Sequence, residues 1–347
     1  MYNYLLLYAI RQLKGQRSSA SIYHILTGRR SAQTIQDAHF YHLTQFYGVY
    51  HQLKRVAFDE TVIDLVKSKF IQLTEEEHPI LTKKGELYIH DYGKQYSTDS
   101  FKGMEYINKS TDFSERLFLT IQTYSYLSMD NRVFQPVSDR RDVQEWFKRY
   151  YRDHLSIKGW LREVYKHINT LLNEINDQQA RLFVDRLSGY QKYGLSIQQL
   201  ALKYQLSIHD VYLFLTLTYH QLMHFIDINS IHLLTGFFRD EQRTDQFITH
   251  SAQKTHQLIS KGQSLEQIMR IRRLKRSTIE DHIVELAYAI PGFDLSPYIT
   301  QTELNDILPK IKRIDDHRLA KIKTMLDDQY SYFQIRLALV KVKLTKH

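Results

Sequence analysis

The chain has 347 residues, 43% hydrophobic and 24% charged, which suits a globular protein of two or three domains with a real core. It has no cysteine, so a disulfide scaffold, a thiolate nucleophile, an iron–sulfur cluster and a cysteine-based zinc site are excluded together. The net charge is +9, and residues 251–347 carry +6 of it: either the footprint of a polyanion-binding module or a basic surface kept for solubility.

Scarce breakers, 12 Gly and 5 Pro, point to a mainly α, multi-module helical protein. The opening "MYNYLLLYAIRQLKGQRS" reads as an amphipathic helix. It lacks the basic region and small-residue cleavage site of a signal peptide. No stretch approaches the ~20 apolar residues of a membrane span, so the chain is expected in the cytoplasm, without a membrane partner. In residues 1–95, Ile22, Ile25 and Leu26 repeat at helical spacing before Gly28, and "ETVIDLVKSKF" gives a further helix. "FIQLTEEEHPILTKKGELYI" then reads as two short strands around an acidic turn. Helices closing on a hairpin are the layout of a winged helix. Residues 96–110 read as a polar linker. A central helical domain is expected over 111–250, with Val143, Trp146, Phe147 and Tyr150, then Leu161, Val164, Ile168 and Leu171, at core spacing. Residues 251–347 form the last domain and close on two or three more helices.

Two segments match at a constant offset of 68 residues. Ser196 falls on Ser264, Leu200 on Ile268, Leu206 on Leu274, Val211 on Ile279 and Leu215 on Ile283. A capping serine, an apolar residue four later, a mid-turn leucine, and two apolar residues that dock a second helix make up the core spacing of a helix-turn-helix. "SAQTIQDAH" near the N-terminus is related to "RSTIEDHI", giving a third such segment. The 196–216 copy contains "VYLFLTLTY", apolar on nearly every face, so its second helix can be buried.

The segment "LISKGQSLEQIMRIRRLKRSTIEDHIVELA", with Gly262, Ser264, Leu265, Ile268, Leu274, Ser277, Thr278, Ile279, His282 and Ile283, resembles the helicase-associated helix-turn-helix domain found at the C-termini of some RecQ-type helicases. "STIEDH" is its most specific part. "IYHILTGRRSAQTIQDA" is similar to the start of stand-alone bacterial proteins of the YpbB type, so the resemblance extends over the whole chain. Met269 and Arg273 depart from the pattern, which favours a small residue and a glycine there. The resemblance implies a nucleic-acid role beside a RecQ-like helicase, in repair or replication.

The candidate DNA contacts are Arg270, Arg272, Arg273, Lys275 and Arg276 around the turn, with Ser277 and Thr278 opening the second helix, whose N–H groups favour a phosphate. Glu280 and Asp281 follow, where a sequence reader needs base-edge donors, so base readout is expected to be weak. The N-terminal unit adds Arg29, Arg30, Ser31, Gln33 and Gln36, glutamine being a base reader in other proteins. Lys83 and Lys84 in the hairpin are offset by Glu75, Glu76 and Glu77. "WFKRYYRDHLSIKGWLREVYKH" interleaves cations and aromatics as single-strand binders do, although most of these aromatics fall at core spacing. His220 and His224 have metal-site spacing with Asp227 near, but no Glu adjoins the first histidine and there is no cysteine, so neither a metal nor a cofactor is expected. No Walker loop, nucleophile elbow or dinucleotide fingerprint is present. The expectation is a non-catalytic protein that binds duplex or forked DNA and a RecQ-like helicase. The alternatives are a sequence-specific transcription regulator and a protein–protein adaptor without DNA affinity.

Overall fold

In a computed structural model the described residues are 1–96, 98–152, 156–239, 248–311, 316 and 318–344. Among them the protein is mainly α-helical, with one two-stranded antiparallel sheet. In chain order, α1 (Tyr2–Leu13), α2 (Ser19–Thr27), α3 (Ala32–Phe40) and α4 (Arg55–Lys67) precede strands β1 (Ile71–Leu73) and β2 (Pro79–Leu81). Then come α5 (Lys83–Gln95), α6 (Lys109–Ser128), α7 (Arg141–Arg152), α8 (Ile157–Leu172), α9 (Asp177–Arg186), α10 (Ile197–Tyr204), α11 (Ile208–Ile228) and α12 (His232–Thr235). The last group is α13 (His250–Ile259), α14 (Leu265–Arg272), α15 (Arg276–Ala289), α16 (Gln301–Ile311), α17 (Leu319–Met325) and α18 (Tyr332–Leu344).

Packing divides the chain into two compact units that do not follow its order. The first comprises Met1–Leu5, Gly48–Tyr50 and Tyr88–Thr244; the second comprises Leu6–Tyr47, His51–Leu87 and Asp245–His347. Most of the N-terminal segment thus folds with the C-terminal one.

The first unit is built around α11, which packs against α6, α8, α9, α10 and α12. Its Val211, Leu213, Phe214, Leu215, Leu217, Leu222, Met223 and Ile226 are all buried, as expected of a helix apolar on nearly every face. Much of the stretch expected as a linker is packed rather than free: Phe101 and Tyr106 are buried. The Lys102 amide donates to Nδ1 of His220 at 3.0 Å. That leaves the proton on Nε2, 2.9 Å from the Ser110 hydroxyl. Burial pushes this imidazole down to about 3. With both nitrogens occupied, His220 is a core histidine and not half of a metal pair with His224.

In the second unit the expected hairpin forms, with Ile71 opposite Leu81 and Leu73 opposite Pro79. The chain then turns directly into α5. Gly85 permits this tight return, since a Cβ there would lie 2.4 Å from the Phe70 carbonyl oxygen. In the acidic loop, Glu76 is held by Arg318 at 3.2 Å. Helix α3 packs on α15 and α18, because both of its sides are buried: Ala32, Thr34, Ile35, Gln36, Asp37 and Ala38.

Candidate nucleic-acid interface

Helices α13, α14 and α15 pack on one another. Ser264 caps α14 through a capping box. Its Oγ accepts from the Gln267 amide at 3.3 Å, and Gln267 Oε1 accepts from the Ser264 amide at 2.7 Å. Such a cap contributes about 1 kcal/mol. Arg273 ends the helix in the left-handed region, φ 50° and ψ 43°, the conformation for which a glycine is usual. Its side chain is exposed. Lys275 then opens α15 without a side-chain cap; the Thr278 amide bonds the Lys275 carbonyl at 3.1 Å, which leaves the amides of Arg276 and Ser277 for solvent or a ligand. Ile268, Ile279 and Ile283 are fully buried and lock the two helices together.

The cations of this turn fall into two groups. Arg270, Arg273, Lys275 and Arg276 are exposed. Arg276 leans on Glu280 at 2.9 Å and on Glu266 at 3.7 Å, pairs that are weak in water. Arg272 is tied down: it donates to the Ser251 carbonyl at 2.9 Å, the Ser251 hydroxyl at 3.0 Å and the Thr255 hydroxyl at 2.7 Å. The same Thr255 hydroxyl is hydrogen-bonded to Nδ1 of His282, 2.9 Å away. Burial, and then the charge of Arg272, hold His282 below the usual imidazole range.

The acidic pair is accounted for in the same geometry. Glu280 engages Arg276, and Asp281 bonds Arg336 of α18. Beyond Asp281, residues 282–288 are buried without a break. Opposite the face that docks on α14 lie Ser277, Asp281, Val284 and Tyr288. In a helix that enters the major groove this is the face that meets the bases. Here Val284 and Tyr288 are buried, and the Tyr288 ring stacks on His39 of α3 at 4.9 Å. On this face Ser277 and Asp281 are exposed, with Thr278 half-buried beside them. Glu285 is also internal, accepting from the Thr249 hydroxyl at 3.1 Å and from its amide. Burial raises its carboxyl, against those bonds.

The N-terminal candidates are dispersed. Arg29 and Arg30 are exposed; Arg29 bonds His24 at 2.8 Å, and the charge of Arg30 acts on Glu285, about 13 Å along α15 from Arg276. Ser31 caps α3, accepting from the Thr34 amide at 3.2 Å. Gln33 is exposed and donates to Asp37 at 2.8 Å. Gln36 is 2% exposed and accepts from Arg336 Nε at 3.0 Å, so it presents nothing to a base. The structure thus gathers Arg270, Arg273, Lys275, Arg276, Ser277 and Thr278, ties half-buried Arg272 to α13 and takes Gln36 into the interior. Gln267, Thr255 and Arg336, which set this arrangement, were not legible as functional. Of these only Gln267, three residues after a capping serine, carried a local signal.

The fold and the turn define a mostly helical protein with a C-terminal helix-turn-helix domain. Residues 251–339 match the family described as "Helix-turn-helix domain". The chain as a whole is similar to Protein YpbB of Bacillus subtilis (strain 168): 27% identical over 342 residues, covering 98% of this chain and 97% of that protein. No solved structure matches. Among the described residues no helix is long and apolar enough to cross a membrane.

Proposed function

We propose that the protein is a non-catalytic DNA-binding accessory factor that holds duplex or forked DNA through its C-terminal helix-turn-helix and works beside a RecQ-like helicase in repair or replication. The observation that carries the DNA reading is the exposed quartet Arg270, Arg273, Lys275 and Arg276 at the uncapped start of α15. Cations and free N–H groups there would bind backbone phosphate. The covered far face of α15 argues against base readout, and so against a sequence-specific regulator. Arg29, Arg30, Ser31 and Gln33 supply at most a separate contact. The hairpin that follows α2, α3 and α4 supports reading residues 1–95 as winged-helix-like, with α3 used for packing.

The helicase partnership rests on the resemblance to RecQ-associated domains and on the whole-length similarity to YpbB. Two weak sites on one chain would act by avidity. The test is fluorescence anisotropy with duplex and forked DNA at two salt concentrations, followed by co-elution with a purified RecQ-type helicase. Salt-weakened binding lost in the Arg270→Ala/Arg273→Ala/Lys275→Ala/Arg276→Ala variant supports the DNA reading. Absence of binding at low salt favours a protein adaptor. Failure to co-elute removes the helicase.

A further inference from the structure

Helix α8 presents a cationic stripe on the side turned from its core. Trp160, Val164, Ile168 and Leu171 point inward and are buried. At 3.6 residues per turn, the opposite face carries Lys158, Arg162, Tyr165, Lys166 and Asn169, all exposed. Lys158, Arg162 and Lys166 follow at four-residue steps, so they rise about 6 Å apart along the axis. None of the three forms an ion pair among the described residues. Glu163, the nearest carboxylate on the helix, is exposed on the flank, about 100° around from Arg162 and about 60° from Lys166, and forms no ion pair with either.

Tyr165 stands at the edge of this stripe, between Arg162 and Lys166 along the axis, and is 70% exposed. Tyr151, 41% exposed, edges onto Tyr124, as does Trp160 on the buried side of α8, so Tyr165 is the ring of the outward face. The turn of the helix-turn-helix has exposed cations but no exposed ring. A duplex keeps its base faces stacked inside, so a free tyrosine ring gains nothing from it, whereas an unpaired base can stack on that ring. A membrane surface would call for several large apolar side chains beside the cations, and the outward face of α8 has none. An acidic peptide would satisfy the cations and leave the ring unused.

The geometry points to α8 as a track for single-stranded nucleic acid, with phosphates on Lys158, Arg162 and Lys166 and a base stacked on Tyr165. Its residues belong to the first unit and those of the turn to the second, so the two proposals are tested by different substitutions.

The test uses the full chain with labelled oligo-dT, a labelled duplex, and vesicles containing phosphatidylserine. Lys158→Glu/Arg162→Glu/Lys166→Glu should weaken oligo-dT binding by roughly tenfold or more. Tyr165→Ala should weaken it by roughly fivefold to a hundredfold, while Tyr165→Phe retains it. Duplex affinity should stay within about twofold in all three, and the quadruple turn variant should show the reverse pattern. The inference is overturned if oligo-dT does not bind, or if Tyr165→Ala binds it as the wild type does. It is also overturned if the α8 charge reversal weakens duplex and oligo-dT equally, or releases only vesicles.

Discussion

Segments 196–228 and 264–289 are two copies of one local design. Ser196 and Ser264 each close a capping box, with Gln199 and Gln267. Nine residues on, Gln205 (φ 53°, ψ 42°) and Arg273 (φ 50°, ψ 43°) make the same left-handed turn. Val211 and Ile279, then Leu215 and Ile283, dock the second helix. The copies part at the turn itself. The first has Gln205, Leu206, Ser207 and Ile208, and Ser207 caps α11 by accepting from the Asp210 amide at 3.0 Å. The second has Arg273, Leu274, Lys275 and Arg276, and leaves α15 uncapped. The shared spacing is therefore a way of packing two helices. Contact with DNA depends on what the turn displays, and only the second copy displays charge with open N–H groups.

This comparison can be broken or sharpened in four ways. The largest effect concerns the shared docking residues. Leu215→Ala and Ile283→Ala should each cost about 2–5 kcal/mol, read as a lower urea midpoint. A cost confined to one copy would mean that the other is not held by its helix-turn-helix packing.

Second is the pH response. His220 is held neutral in the fold down to about 3, against an ordinary value of 6.5. A depressed folded value means that the unfolded chain takes up the proton first. Stability is thus complete above pH 6.5 and falls as the pH drops from there towards 3. Between pH 6.5 and 5 the loss should reach about 2 kcal/mol. In His220→Phe this difference between two urea titrations should shrink. An unchanged slope would place the sensitivity elsewhere, with His282 of α15 the next group to replace.

Third, Ser196→Ala and Ser264→Ala should each remove about 1 kcal/mol, and the Ser264 change should leave DNA affinity intact. Smallest is relief of the left-handed turn. Gln205→Gly and Arg273→Gly should each stabilise by up to about 1 kcal/mol in thermal melts. Only Arg273→Gly should weaken DNA binding, so equal binding by both variants would remove Arg273 from the contact.

The mainly helical fold, the hairpin and both helix-turn-helix segments were legible because each rests on local chemistry. Serine caps, apolar spacing and a turn fall within about twenty residues of one another. The burial of α15 also had a local signal, the nearly continuous apolar run "HIVELAYA". What covers it did not. Gln36 and Arg336 are 300 residues apart in the chain, and no periodicity announces such a pair. Arg272 read as a surface cation beside Arg273 because sequence gives the charge and not the partner. Its bonds to Ser251 and Thr255 come from a different helix, as does the α3 surface that closes over Tyr288.

The central claim is that the α15 turn grips DNA backbone without reading its bases. The most direct test measures affinity against salt for the wild type and the Arg270→Ala/Arg273→Ala/Lys275→Ala/Arg276→Ala variant on two duplexes of unrelated sequence. Each lost phosphate contact should flatten the log–log slope by about 0.9. The account predicts a wild-type slope steeper by about 3.6 than that of the variant, and the same affinity for both duplexes. An unchanged slope, or a preference for one duplex of roughly a thousandfold, as specific readers show, would contradict it.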